Sequence, residues 1–106
     1  MARETLWIVQ CTDRTGEDVS SLRDQHMEGH LAHIESIVEH IAVAGPLKDA
    51  TGQHIVGSLL AYRTDDLAQA KNWLAGDPYA RSGIWESTAW SRLVVAAGAL
   101  TGGVTW

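Results

Sequence analysis

Residues 6–11, Leu-Trp-Ile-Val-Gln-Cys, and residues 18–38, DVSSLRDQHMEGHLAHIESIV, are the stretch whose reading decides the fold. The first run is short, apolar and rich in strand formers, which is the composition of a central strand buried on both faces. Thr12 to Glu17 is polar, contains Gly16 and reads as a loop. Asp18, Ser20 and Ser21 then offer helix caps, with Ser21 and Asp24 spaced like a capping box. The spacing predicts a helix that runs to about Val38.

Working outward, His40 to Ala44 reads as a second strand stopped by Gly45-Pro46, and Lys48 to Gln53 reads as a turn. His54 to Tyr62 is a third strand, interrupted by Gly57-Ser58. A glycine inside a strand marks a bulge or a close approach by a ligand or backbone. Thr64 or Asp65 caps a second helix with Leu67, Ala70 and Leu74 at helical spacing, and Gly76 stops it. Asp77-Pro78-Tyr79 forms a turn, and Ile84 to Leu93 is a last strand carrying Trp85 and Trp90. The order βαββαβ predicts an α+β, ferredoxin-like domain with an antiparallel sheet. The domain occupies residues 1–92. Residues 93–106 form an apolar, glycine-containing tail with no charged side chain, ending at Trp106. Such a tail covers its own sheet or a partner subunit, or is a disordered end.

A chain of 106 residues has room for one modest core, so a partner subunit would add stability. The net charge of -5 and the scatter of its eight basic residues exclude a nucleic-acid platform. No apolar run approaches the length of a membrane span, and no signal region opens the chain, so the expectation is a cytoplasmic protein. Cys11 is the single cysteine, so neither an internal disulfide nor a cysteine-built zinc site can form. Its apolar surroundings predict a buried, inert thiol.

At about 100° per residue, Val19, Met27, Ile34, Ile37 and Val38 share one stripe of the first helix. His30 falls between Ile37 and Ile34, and Arg23 lies on the same stripe two turns earlier. Polar groups on a burying face are either hydrogen-bonded within the core or lining a pocket, because unpaired burial is costly. Arg23, near the helix start, is also placed to snorkel to solvent. Gly29 is unfavourable in a helix by about 1 kcal/mol against Ala, and either admits a ligand or another helix or is simply tolerated. His26, His30 and His33 could face one metal, but ligands from consecutive turns of one helix fit a compact site poorly, and no metal is expected.

Arg23, His30-Leu31-Ala32, Ala44-Gly45-Pro46, Gly57-Ser58 and Asp77-Pro78-Tyr79 with Gly83 occur in the order seen in the YciI-like family. The chain resembles that family over about residues 5 to 92. The resemblance implies a ferredoxin-like fold that pairs into a homodimer, within the dimeric α/β-barrel superfamily. It implies that His30 and Asp77 form an acid–base pair, and that Arg23, Ser58 and Tyr79 line the same pocket. One branch of the family eliminates chloride from a chlorinated hydroxyhydroquinone, without a cofactor. A carboxylate can fix the tautomer of an imidazole so that it moves one proton, and an arginine can hold a phenolate or carboxylate.

The chain also departs from the family. Met27 stands where many members carry a second arginine, Glu28-Gly29 replaces a Pro-Ala pair, and the basic-Pro-Phe ending is absent. The expected function is a cofactor-free lyase, isomerase or dehydrochlorinase acting on a phenolic, quinone or lactone-type substrate. The alternatives are a non-catalytic small-molecule binding or sensing module and a dimeric accessory domain.

Overall fold

A computed structural model of the chain describes residues 3–104. Four strands, β1 (Thr5–Asp13), β2 (Ile41–Lys48), β3 (Ile55–Tyr62) and β4 (Trp85–Val94), form one antiparallel sheet in the order β2-β3-β1-β4. Helix α1 (Val19–Ser36) joins β1 to β2, while α2 (Leu67–Ala75) and the short α3 (Pro78–Ser82) join β3 to β4. Each crossover skips one strand, which gives the ferredoxin-like arrangement expected from the order of elements. Beyond β4, Ala97–Gly98 (β5) pairs with Gly103–Val104 (β6) around a 3₁₀ turn.

Alternation along β1 sorts the core. Val9 and Cys11 point to the helices and pack with Leu60, Tyr62, Ala70 and Leu74, with Trp73, Trp85 and Trp90 around them. Leu6 points the other way and packs with Ala61 and Val95, but Gln10 on that face is exposed. The central strand is therefore buried fully on the helix face only, since the tail reaches just its first residues. No described helix is long and apolar enough to cross a membrane.

Several local expectations are corrected. β1 continues to Asp13 instead of ending at Cys11. Of the three caps the sequence offers, Asp18 is the N-cap of α1 and the Ser21–Asp24 capping box does not form; Asp18 makes no side-chain cap because Arg14 holds its carboxylate at 3.0 and 3.1 Å. The helix ends at Ser36, and Val38 begins a separate 3₁₀ turn in which it is 61% exposed. Met27 is also off the buried stripe, at 44% exposure. β2 runs through Gly45-Pro46, because an edge strand tolerates a proline that donates no ladder hydrogen bond. Asp66 caps α2, accepting from the Ala68 N–H, while the Thr64 hydroxyl oxygen accepts from the N–H of Asp66, two residues on. The predicted Asp77-Pro78-Tyr79 turn is the first turn of α3, with Asp77 as its cap and Pro78 at the favoured first position.

β3 runs unbroken through Gly57, which marks a close backbone approach: a Cβ there would collide with the carbonyl oxygen of Cys11 on the neighbouring strand. Val95 begins the tail by covering Leu6 and Ala61, whereas Leu100 at the hairpin tip is 86% exposed. Residues 105–106, including Trp106, lie outside the described residues.

Cys11 is fully buried, and burial, with the Asp77 and Asp13 carboxylates adding, pushes its thiol up to about 12 from an ordinary 9.0. Native protein should therefore leave Cys11 unlabelled by a disulfide reagent at pH 8, with full labelling in urea. Because the folded value is the raised one, this contribution to stability is intact below pH 9 and is lost as the pH climbs towards 12. Urea midpoints measured across that range should fall.

Candidate functional site

Helix α3 packs along α1, and at one point the approach depends on a glycine. A Cβ on Gly29 would lie 3.1 Å from Cγ of Pro78, so the glycine lets the two helices approach there. Gly29 therefore admits another helix, one of the roles open to it from the sequence. Its chain neighbour is His30, and the neighbour of Pro78 is Asp77, so this contact sets those two side chains face to face. His30 Nδ1 lies 2.7 Å from Oδ2 and 2.9 Å from Oδ1 of Asp77.

Asp77 is completely buried. Its carboxylate accepts the Tyr79 backbone N–H at 2.9 Å as the cap of α3, and Nδ1–H of His30 as its second donor. A carboxylate only accepts, so Nδ1 carries the imidazole proton and Nε2 is left with the lone pair. The ring is fixed on a second side by Tyr79, which stacks on it at 4.0 Å between centroids and 8° between planes. The Tyr79 hydroxyl donates to the Arg23 carbonyl at 3.3 Å, and burial pushes that hydroxyl up, so it stays a donor.

Arg23 does not snorkel. It is 8% exposed and pairs with Asp13, Nη2 at 2.6 Å from Oδ1 and Nε at 3.2 Å from Oδ2, with its guanidinium 5.4 Å from the Tyr79 ring centre. Sequence reasoning missed Asp13 by assigning it to a loop. The available signal was alternation, since Asp13 extends the Val9, Cys11 series at the end of β1.

Arg23, His30, Ser58 and Tyr79 all line one cavity of about 360 Å³ between α1 and the β2–β3 edge of the sheet. Its wall is mostly apolar, with Met27, Leu31, Ile34, Pro46, Ile55 and Leu60. Asp77 is not on the wall but behind His30. A cavity of this size suits a single-ring molecule, with polar groups at a few points to orient it. The other histidines of α1 are not gathered with His30: His33 Nε2 lies 2.8 Å from the Trp73 carbonyl oxygen. Among the described residues no cluster of three or more His, Cys, Asp or Glu is arranged for a metal ion.

Comparison with known proteins gives four matches. The model of the YCII-related domain matches residues 5–93. A xenovulene A biosynthesis cluster protein of Sarocladium schorii is 28% identical over 94 residues, covering 80% of this chain and 82% of that protein. Among solved structures, the chain is similar to the 5-chloro-2-hydroxyhydroquinone dehydrochlorinase of Burkholderia phenoliruptrix AC1100, in complex with 2,5-dihydroxybenzoquinone. That match has a TM-score of 0.69 at 21% identity, covering 89% of this chain and 96% of the other. A dimeric ferredoxin-like protein of unknown function from Jannaschia sp. CCS1 matches with a TM-score of 0.50 at 14% identity, over 86% of this chain and 99% of that one. At these identities the two structures establish the fold.

Replacing Asp77 separates its two bonds. Asparagine keeps an oxygen for the Tyr79 N–H but can offer only an amide N–H to His30, which moves the imidazole proton to Nε2. Nitrogen-15 shifts of the ring should report the Nδ1–H tautomer in the native protein and the Nε2–H tautomer in Asp77→Asn. Asp77→Ala also removes the cap, and should cost at least about 1 kcal/mol more than Asp77→Asn in denaturant unfolding.

Proposed function

The chain belongs to the YCII-related domain family, and we propose that it is a small-molecule enzyme that moves protons on a phenolic, quinone or lactone-type substrate, with His30 as acid–base and Asp77 as its orienting partner. The observation that carries this reading is the locked His30 ring on the wall of an apolar cavity. Buried Asp77 holds the tautomer and stabilises the imidazolium that forms when Nε2 takes a proton, without itself being protonated. Tyr79, Arg23 and Ser58 bind and orient the substrate. The fold likeness to a dehydrochlorinase and the sequence likeness to a biosynthesis-cluster protein support a small-molecule substrate.

Chloride elimination from a chlorinated hydroxyhydroquinone needs only what these side chains supply. Two hydroxyl protons leave, one proton is added at the chlorine-bearing carbon, and chloride departs with the C–Cl electron pair. The ring becomes a hydroxyquinone without an external oxidant or cofactor. One histidine that accepts a proton at a hydroxyl and returns it to carbon serves both steps.

Residues 1–92 act as the domain and the apolar residues 93–106 as an arm that packs on the assembly. The dimeric neighbour and the apolar sheet face carrying Ile8, Leu59 and Leu93 support a homodimer.

Anaerobic incubation with 5-chloro-2-hydroxyhydroquinone should release chloride, and His30→Ala should lower kcat by about 10²–10⁴-fold while still binding the ring. Ring binding with no chloride release or proton exchange by the native protein would instead identify a binding module. Sedimentation should give a dimer, and Leu59→Asp on the open sheet face should give a folded monomer.

A further inference from the structure

The polar groups of the cavity are unequal in charge. Its one guanidinium, Arg23, already spends its Nε–Nη2 edge on Asp13. That is one of the two edges through which a guanidinium grips a carboxylate by two parallel hydrogen bonds. Both side chains of the pair are buried, at 9% and 7% exposure, so they are largely desolvated and separating them would strand a charge. The remaining carboxylates are Asp77 behind His30 and Asp24 on the cavity wall. Arg23 is thus one positive charge among three carboxylates.

We propose that Asp13 is a specificity-determining residue. By holding Arg23 in a buried ion pair, it restricts the cavity to an uncharged hydroxylated ring and rejects one that carries a carboxylate. This inference rests on the reading of the cavity as a site for phenolic or quinone rings, and it narrows that class. Asp13 does not line the cavity; it acts through Arg23, so loss of the carboxylate leaves a guanidinium free to meet an anion. The substrate then arrives protonated and is ionised inside by His30, where Asp77 balances the imidazolium. A ring that arrives as a carboxylate meets the field of three carboxylates with no released cation.

The test uses two ligands of one shape, 2,5-dihydroxybenzamide and 2,5-dihydroxybenzoate, titrated calorimetrically into the intact protein at pH 7. The native protein should bind the amide at least tenfold more tightly. Asp13→Asn, if folded by circular dichroism, should bring the two affinities within threefold by tightening the benzoate. The double variant Asp13→Asn/Arg23→Gln, which removes the pair without freeing a cation, should keep the native preference. Met27→Arg, which adds a cation at an exposed position on the cavity wall, should tighten benzoate about tenfold and leave the amide unchanged; this arm decides the matter if Asp13→Asn does not fold. Equal binding of the two ligands by the native protein overturns the proposal, as does a folded Asp13→Asn that keeps the native preference or a Met27→Arg that does not move it. Failure of both ligands to bind any of the proteins overturns the aromatic-ring reading itself, and the inference with it.

Discussion

A carboxylate with no contact with water must be given hydrogen-bond donors by the protein, and Asp77 is such a carboxylate. Its two donors come from different levels of the structure. The Tyr79 N–H is local and is supplied by the first turn of α3. The His30 Nδ1–H belongs to another helix, and reaches it only because Gly29 allows Pro78 to pack against α1. The bond that satisfies the buried charge is therefore also the bond that selects the imidazole tautomer. Stability of α3 and orientation of His30 are coupled through one side chain.

Around this pair the remaining polar groups are tied in sequence. Tyr79 stacks on His30 and donates to the Arg23 carbonyl, and the Arg23 guanidinium reaches over the same ring to Asp13 at the end of β1. The chain of contacts connects β1, α1 and α3, so the cavity wall is held by three elements instead of a mobile loop. Rigid support of this kind is what the proposed proton transfer at His30 requires, because small displacements are expensive in rate.

The two faces of the sheet have different fates. The helix face is consumed by the core and by the cavity. The opposite face presents Ile8, Leu59, Ala61 and Leu93 beside the start of the tail, and forms a second, larger cavity of about 1010 Å³. Apolar side chains left in this state favour burial against another surface, at roughly 25 cal/mol per Å². A homodimer built on that face would leave the His30 cavity, on the other side of the sheet, free to take a ligand.

The strand-helix-strand order was legible in the sequence alone, because periods of two and of about 3.6 residues are written locally. So were the burial of Cys11, the close backbone approach at Gly57 and the placement of His30 on the inner side of α1. Resemblance to a family then joined His30 to Asp77. Other features were not local. Ser21 looked like a cap, but Arg14 and Asp18 decided how α1 begins. Pro46 looked like a strand end, but it lies on an edge where no partner needs its missing N–H. Arg23 looked free to reach solvent, yet a carboxylate ten residues earlier in the chain, across the β1–α1 loop, holds it inside. Hydrogen-bond donors and charges are satisfied across space, so the sequence determined which elements form, and only the tertiary structure decided which side chains neutralise one another.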